Sequence, residues 1–350
     1  MKKKMIDFLL AQASASIRLR VRRDILRDLT PAEETALQTE ILGEKIPRHI
    51  ADHRQPNGWI GLGFHGSSKR AGQYDNQETA VKYMGEKGLR GTPLLNGAID
   101  AFMSTPLTDP IYETGGRLYS EFEIPAFGQG IIRAACVARA GYAGEADIAP
   151  QVQVALESFR RVTEVDSILD VSRPGKACRL FNAGERWPCR YHLEIFAFTN
   201  SWRTPGNIAM LADAFTCLMR ADRPEIAQTP VACWVGHAVG PLWYMNEGWS
   251  VSAGATNLPA PDGVRRVNFE KVEWLCRCGL YPYLPVLREE VEFITAHIRD
   301  GVCSVPFYEN EFRGWGPYAG LQLEPDWRRS VRRDCDVTFR TLTILQNVGE

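Results

Sequence analysis

ETAVKYMGEKGLRGTPLLNGAIDAFM, Glu78 to Met103, reads as two helices broken by a tight turn. Apolar residues recur at three- and four-residue spacing on both sides of the break, the period of a helix with a buried face. Gly88 stands where the first helix should stop in a left-handed backbone conformation. Pro93 opens the second helix, where its missing N–H is no loss.

Three further segments share this plan: Gly130 to Phe159, His192 to Met219 and Val272 to Ile298. Gly141 and Gly279 stop the first helix in two of them, and Asn200-Ser201 takes that place in the third. Pro150, Pro205 and Pro285 lie at or near the start of the second helices. Two more helices are predicted at about 13–29 and 32–53, and a last one from Val331 to Leu345 that pairs with the N-terminal elements. No long run alternates apolar and polar residues, and no Asn-Gly turn joins two β-branched runs. The fold class expected is therefore all-α, in a single domain spanning 1–350. A solenoid keeps a near-constant period, whereas these glycines are unevenly spaced and a final helix follows the last pair. Both features favour a closed α/α toroid, a barrel of helical hairpins with long irregular loops at one end. Segments at about 104–126, 163–190, 222–270 and 300–325 are long enough to be functional.

Composition narrows the function. The 350 residues are 45% hydrophobic and 24% charged, with a net charge of −1. A near-neutral chain offers no basic face for nucleic acid, and RLRVRRDILR, Arg18 to Arg27, reads as the wet side of an amphipathic helix. The nine cysteines are odd in number and scattered, as reduced thiols of a cytoplasmic protein would be. Cys276 and Cys278 are too closely spaced for a zinc site, and no second pair completes one, so no metal is expected. MKKKMIDFLLAQASA at the N-terminus imitates a signal peptide, but Asp7 interrupts its apolar stretch. No run reaches the ~20 apolar residues of a membrane span, so no stable membrane insertion is expected. No GxxxxGK[ST] or GxSxG motif is present, no GxGxxG follows a strand, and no cofactor is implied. The oligomeric state is left open.

One short stretch carries a resemblance. DHRQPNGWIGLGFHG, Asp52 to Gly66, sets Gln55, Gly58 and Trp59 between two helices. This is similar to the QxxxGxW-type segment of the terpenoid cyclase and protein prenyltransferase superfamily, although Gly58 directly abuts Trp59. Trp187 in ERWPCRYHLE, Trp249 in EGWS and Trp315 in RGWGPY hold comparable positions. DCDVTFRTLTIL, Asp334 to Leu345, resembles the Asp-x-Asp-Asp-Thr-Ala segment of class II terpene cyclases. Asp334, Asp336 and Thr338 match, whereas Val337 and Phe339 depart from it. The resemblance implies an α/α toroid, with Asp336 as proton donor.

In such a toroid, the loops before the inner helices line the mouth of a central cavity. Trp59, Phe64 and His65 on the glycine-rich loop are candidates to meet a ligand; the alternative for Trp59 and Trp315 is scaffold packing. Pro188 fits a helix start, which puts Tyr191, His192 and Glu194 in or near a first turn, where Tyr or His can serve as general acid or base. The alternative for His192 is a cap. Glu78 has two readings, a first-turn residue after a cap at Asp75 or Asn76 or a carboxyl facing the cavity. Asp336 is the candidate acid if it faces a dry cavity; otherwise Asp334 and Asp336 are helix-start residues. Trp187, Trp315, Tyr318 and the dense segment Asn310 to Arg329 suit a cavity wall or a packed loop.

The function expected is an enzyme with an aromatic-lined central cavity, acting on a largely apolar small-molecule substrate by acid/base chemistry in a cyclase- or isomerase-like reaction. Two alternatives stay open. One is a carbohydrate-active toroid, either a polysaccharide lyase or a glycoside hydrolase. The other is a non-catalytic helical-repeat binding scaffold.

Overall fold

A computed structural model describes residues 1–65, 74–112, 128–176, 178–220, 231–232, 234–235, 238–239, 244–249, 251, 263–316 and 320–349. The described chain is mostly helical, with a few short strands. It begins with α1 (Lys2–Gln12), α2 (Ala15–Arg20) running into a π-helical turn at Val21–Leu26, α3 (Pro31–Leu42) and α4 (Lys45–Asp52). Four hairpins follow: α5 (Gln77–Glu86) with α6 (Pro93–Ser104), α7 (Gln129–Arg139) with α8 (Ala149–Thr163), α9 (Arg190–Phe198) with α10 (Pro205–Leu218), and α11 (Phe269–Arg277) with α12 (Pro285–Ala296). The short α13 (Glu309–Phe312) and the long α14 (Ser330–Asn347) complete the chain.

The sequence signals act locally as their chemistry predicts. Gly88, Gly141 and Gly279 have φ of 89°, 87° and 78°, the left-handed stop of α5, α7 and α11. Asn76 is the cap of α5, accepting from Thr79 N at 3.0 Å. Thr92 and Thr204 cap α6 and α10 ahead of their prolines. Two local expectations are revised. The helix expected over 32–53 breaks at Gly43–Glu44, where Glu44 turns extended and pairs with Lys87 at 2.7 Å. The helix expected over 13–29 starts at Ala15 and ends in the left-handed Arg27. Residues Lys2–Gln12 form α1 and bury Met5 and Leu9.

The hairpins form two layers. α5, α7, α9, α11 and most of α14 are buried nearly all round, whereas α6, α8, α10 and α12 bury one face. Within the buried layer α5 packs on α7, α7 on α9, α9 on α11, and α11 on α14; α14 also packs on α1 and α2. From the end of α2, Arg20 donates to Glu86 O of α5 at 2.7 Å, and Ser16 donates to Lys87 O at 3.0 Å. Helix α5 meets the end of α7 so closely that a Cβ on Gly85 would lie 2.5 Å from Ala140 Cα. Apart from Cys178 and Leu180, the buried apolar side chains among the described residues form one cluster.

Every long connection runs from a half-exposed helix to the next buried one, so it enters at that helix's N-terminus. Short strands occupy some of these stretches: β1 (Ser172–Pro174) pairs antiparallel with β2 (Arg179–Phe181), which pairs parallel with β3 (Val231–Ala232). Hairpins β4 (Trp234–Val235) with β5 (Ala238–Val239), and β6 (Ile298–Arg299) with β7 (Val302–Cys303), lie further along. Among the described residues no helix is long and apolar enough to cross a membrane.

Candidate functional site

Glu78, Lys82 and Glu86 recur every fourth residue, so they share one face of α5. That face points inward, and none of the three is more than 1% exposed. Lys82 Nζ bridges Glu78 Oε1 at 3.1 Å and Glu194 Oε2 of α9 at 2.9 Å. Glu194 Oε1 takes Arg139 NH1 of α7 at 3.1 Å, and Arg139 Nε reaches Glu86 Oε1 at 3.1 Å. Arg340 of α14 then joins Glu86 at 3.0 Å to Glu273 of α11 at 3.3 Å, and Arg277 closes on Glu273 at 2.9 Å. Each helix of the buried layer thus contributes a charge to one continuous column of alternating sign. Taking such charges out of water is costly and is offset only when every one is paired.

The column ends at the N-terminus of α5 in a three-residue cluster. Glu78 Oε1 accepts the Tyr191 hydroxyl at 2.8 Å, and Glu78 Oε2 meets His65 Nδ1 in a short contact. Lys82 Nζ lies 4.7 Å from the centroid of the Tyr191 ring. Burial pushes the Glu78 carboxyl up, but the charges of His65 and Lys82 and the hydrogen bonds from His65 and Tyr191 outweigh it and hold the group at about 2. Burial likewise pulls Lys82 down, and Glu194 and Glu78 push it above its ordinary value. Glu78 is therefore a carboxylate and Lys82 an ammonium through the neutral range. His65 Nδ1 faces this carboxylate and is placed to donate to it.

The glycine-rich loop is shaped to put His65 there. Gln77 N and Glu78 N, unpaired within α5, donate to Gly63 O at 3.1 Å and Phe64 O at 3.0 Å. Gln77 Oε1 accepts from Ile60 N at 2.7 Å. Gly61, at φ 68°, lies so near Asp75 that a Cβ would collide with its carbonyl.

The structure brings His65, Glu78, Tyr191 and Glu194 together. The other residues singled out in the sequence lie elsewhere. His192 is fully buried, and its Nδ1 accepts from Cys189 N at 2.9 Å, a cap on the first turn of α9. Asp336 is also fully buried. Its Oδ1 accepts from Leu323 N at 2.6 Å and Glu324 N at 3.2 Å, and its Oδ2 from Trp327 Nε1 at 2.6 Å. Burial nonetheless pushes it up to about 6. Trp59 donates to Thr105 Oγ1 at 3.0 Å and packs edge-on to Phe102 and Tyr112, with Phe64 in the same cluster. Trp187 donates to Met245 O at 2.6 Å. Trp315 donates to Gln322 O at 3.0 Å and lies between Tyr83 and the Arg139 guanidinium. These four rings are buried as packing. Tyr318 lies outside the described residues.

No protein-family model, curated protein or solved structure matches the chain.

Sequence reasoning did not pick out Lys82, Arg139, Glu86, Glu273 or Arg340. Their signal is a lone charge inside an otherwise apolar helix, as in AACVARAGY or VTFRTLTIL, because an unpaired charge is not sustained there. A second charged group lies at the start of α11. Arg190 pairs with Glu270 at 2.5 Å, and Glu311 accepts from Glu270 N at 3.2 Å. Burial and the Glu270 charge push Glu311 up to about 8, and burial brings Lys271, 4.5 Å over the Trp249 ring, down to about 8.

Proposed function

We propose that the chain is an acid/base enzyme built on a closed α/α toroid, with His65, Glu78 and Tyr191 as its reacting cluster. The order of packing in the buried layer supports closure: it runs from α5 through α7, α9, α11 and α14 to α2, and Arg20 returns to α5. A hollow of about 670 Å³ is lined by the last turns of these same helices, from Glu86, Arg139, Phe198, Arg277 and Asn347.

One observation carries the chemistry: a single buried carboxylate holds an imidazole on one oxygen and a phenol on the other. A fixed carboxylate orients the imidazole and stabilises it when it takes a proton. The phenol supplies a second proton-transfer group on the far side of the same anchor. A base and an acid so placed suit reactions that remove one proton and return another, such as isomerisations and eliminations. The substrate is a small molecule. Packing among the aromatic rings takes support from a largely apolar substrate of the cyclase type, whereas the charged interior favours a hydroxyl-rich one. A glycan-directed lyase is therefore the preferred form, and the terpenoid-type isomerase is second.

The test compares wild-type protein with His65→Gln and Tyr191→Phe. Uronate-containing polysaccharides are followed by the ultraviolet absorbance of an unsaturated product, and terpenoid precursors by mass spectrometry. Turnover of either class that both substitutions abolish supports the cluster, and the responding class names the substrate. Turnover unchanged in both variants, or none on any substrate, removes it and leaves the helical scaffold as a binding module.

A further inference from the structure

The hollow at the C-terminal ends of the buried helices lies at the opposite end of the column from His65. Its volume of about 670 Å³ falls within the roughly 300–1,000 Å³ typical of small-molecule sites. Six guanidiniums and three carboxylates line it. Helix C-termini attract cations, and part of this surplus serves that purpose: Arg20 caps Glu86 O at 2.7 Å, and Arg23 caps Gly88 O at 3.1 Å. Both also pair with acids, Arg20 with Asp24 and Arg23 with Asp24 and Glu34. Arg277 pairs with Glu273.

Arg203 is different. It is half-buried in the wall and has no carboxylate partner among the described residues. Its guanidinium donates to Thr199 O at 3.4 Å and, closely, to Arg277 O. A guanidinium has five N–H donors, so these two bonds leave most of its capacity unspent. Burial and the charge of Arg277 both work against its cation and pull its pKa below the ordinary value. An anion in the hollow relieves both effects.

We propose that this hollow binds a compact phosphate-bearing small molecule, with Arg203 as its principal contact. Guanidinium groups match phosphate by paired, charge-assisted hydrogen bonds, and the hollow is larger than one phosphate, which fits a phosphorylated metabolite. The proposal is independent of the chemistry assigned to His65.

Isothermal titration of the full chain with inorganic pyrophosphate at low ionic strength tests it. Saturable one-site binding is expected, with Kd raised about tenfold or more in Arg203→Gln, the loss of roughly one charge-assisted hydrogen bond. Asn347→Asp, which puts a carboxylate at the rim without touching the buried column, should weaken binding similarly. Arg299→Gln on exposed β6 should leave it unchanged, as should His65→Gln. Absence of saturable binding in the wild type, or equal Kd in wild type, Arg203→Gln and Asn347→Asp, overturns the proposal.

Discussion

Glu78 and Tyr191, separated by 113 positions in the chain, meet through a 2.8 Å hydrogen bond inside the buried layer. Tyr191 therefore reports on Glu78, and Glu78 on His65. In Glu78→Gln the amide replaces a charge with a dipole and removes the partner that fixes the imidazole. Turnover is expected to fall by about 10²–10⁴, the range for loss of acid/base catalysis, with KM nearly unchanged. Steady-state kinetics on whichever substrate class responds to the His65→Gln and Tyr191→Phe test provides the check, and a change in KM alone would count against this role.

Lys82 is the pivot of the column because it bridges two carboxylates on different helices. Lys82→Met leaves Glu78 and Glu194 facing each other without it. A loss of about 3–5 kcal/mol is expected, the usual result of breaking a buried ion pair from one side. Guanidinium unfolding measures it, and Lys82→Met combined with Glu194→Gln should recover part of the loss.

Stability should fall as pH rises from about 4.5 to about 8. Burial pushes Asp336 up to about 6, Glu324 to about 7 and Glu311 to about 8. A carboxyl raised in the folded state binds more protons there than in the unfolded chain, so its contribution is most favourable below the ordinary carboxyl range and declines until pH passes the folded value. Glu78 acts in the opposite sense: held at about 2, it stabilises above the ordinary range and loses that contribution as pH falls towards 2. Thermal midpoints across this range should decline towards alkaline pH, and Glu311→Gln should flatten the slope. An unchanged slope in that variant would rule out Glu311 as a source.

Asp336 anchors the segment leading into α14 through Leu323, Glu324 and Trp327. In Asp336→Asn one oxygen can keep the backbone bonds, but the new amide N–H faces the Trp327 N–H. A cost of about 1–3 kcal/mol is expected for the unsatisfied donor, with turnover per folded molecule retained. The opposite pattern, full stability and no turnover, would restore Asp336 as the proton donor.

Much of the fold was legible because its punctuation is local. Gly88, Gly141 and Gly279 announce left-handed stops, and Pro93, Pro205 and Pro285 announce starts, whatever the rest of the chain does. The split of 32–53 was missed because Glu44 leaves the helix to reach Lys87, a distant residue no periodicity reveals. The candidate site was half legible. Tyr191, Glu78 and His65 stood out as chemistry-bearing residues near helix starts, yet nothing local says that one carboxylate gathers the other two. Trp59 and Phe64 attracted attention for their loop, but their rings settle against α6 and Tyr112.

Arg340 is the shared cation of Glu86 and Glu273, and it sits on α14, after both acids in the chain. A nascent chain emerging N-terminus first holds both acids without that partner until α14 is made. The bridge that Arg340 makes between α5 and α11 thus forms only after α14 has been synthesised, while Arg139 and Arg277 already partner the two acids.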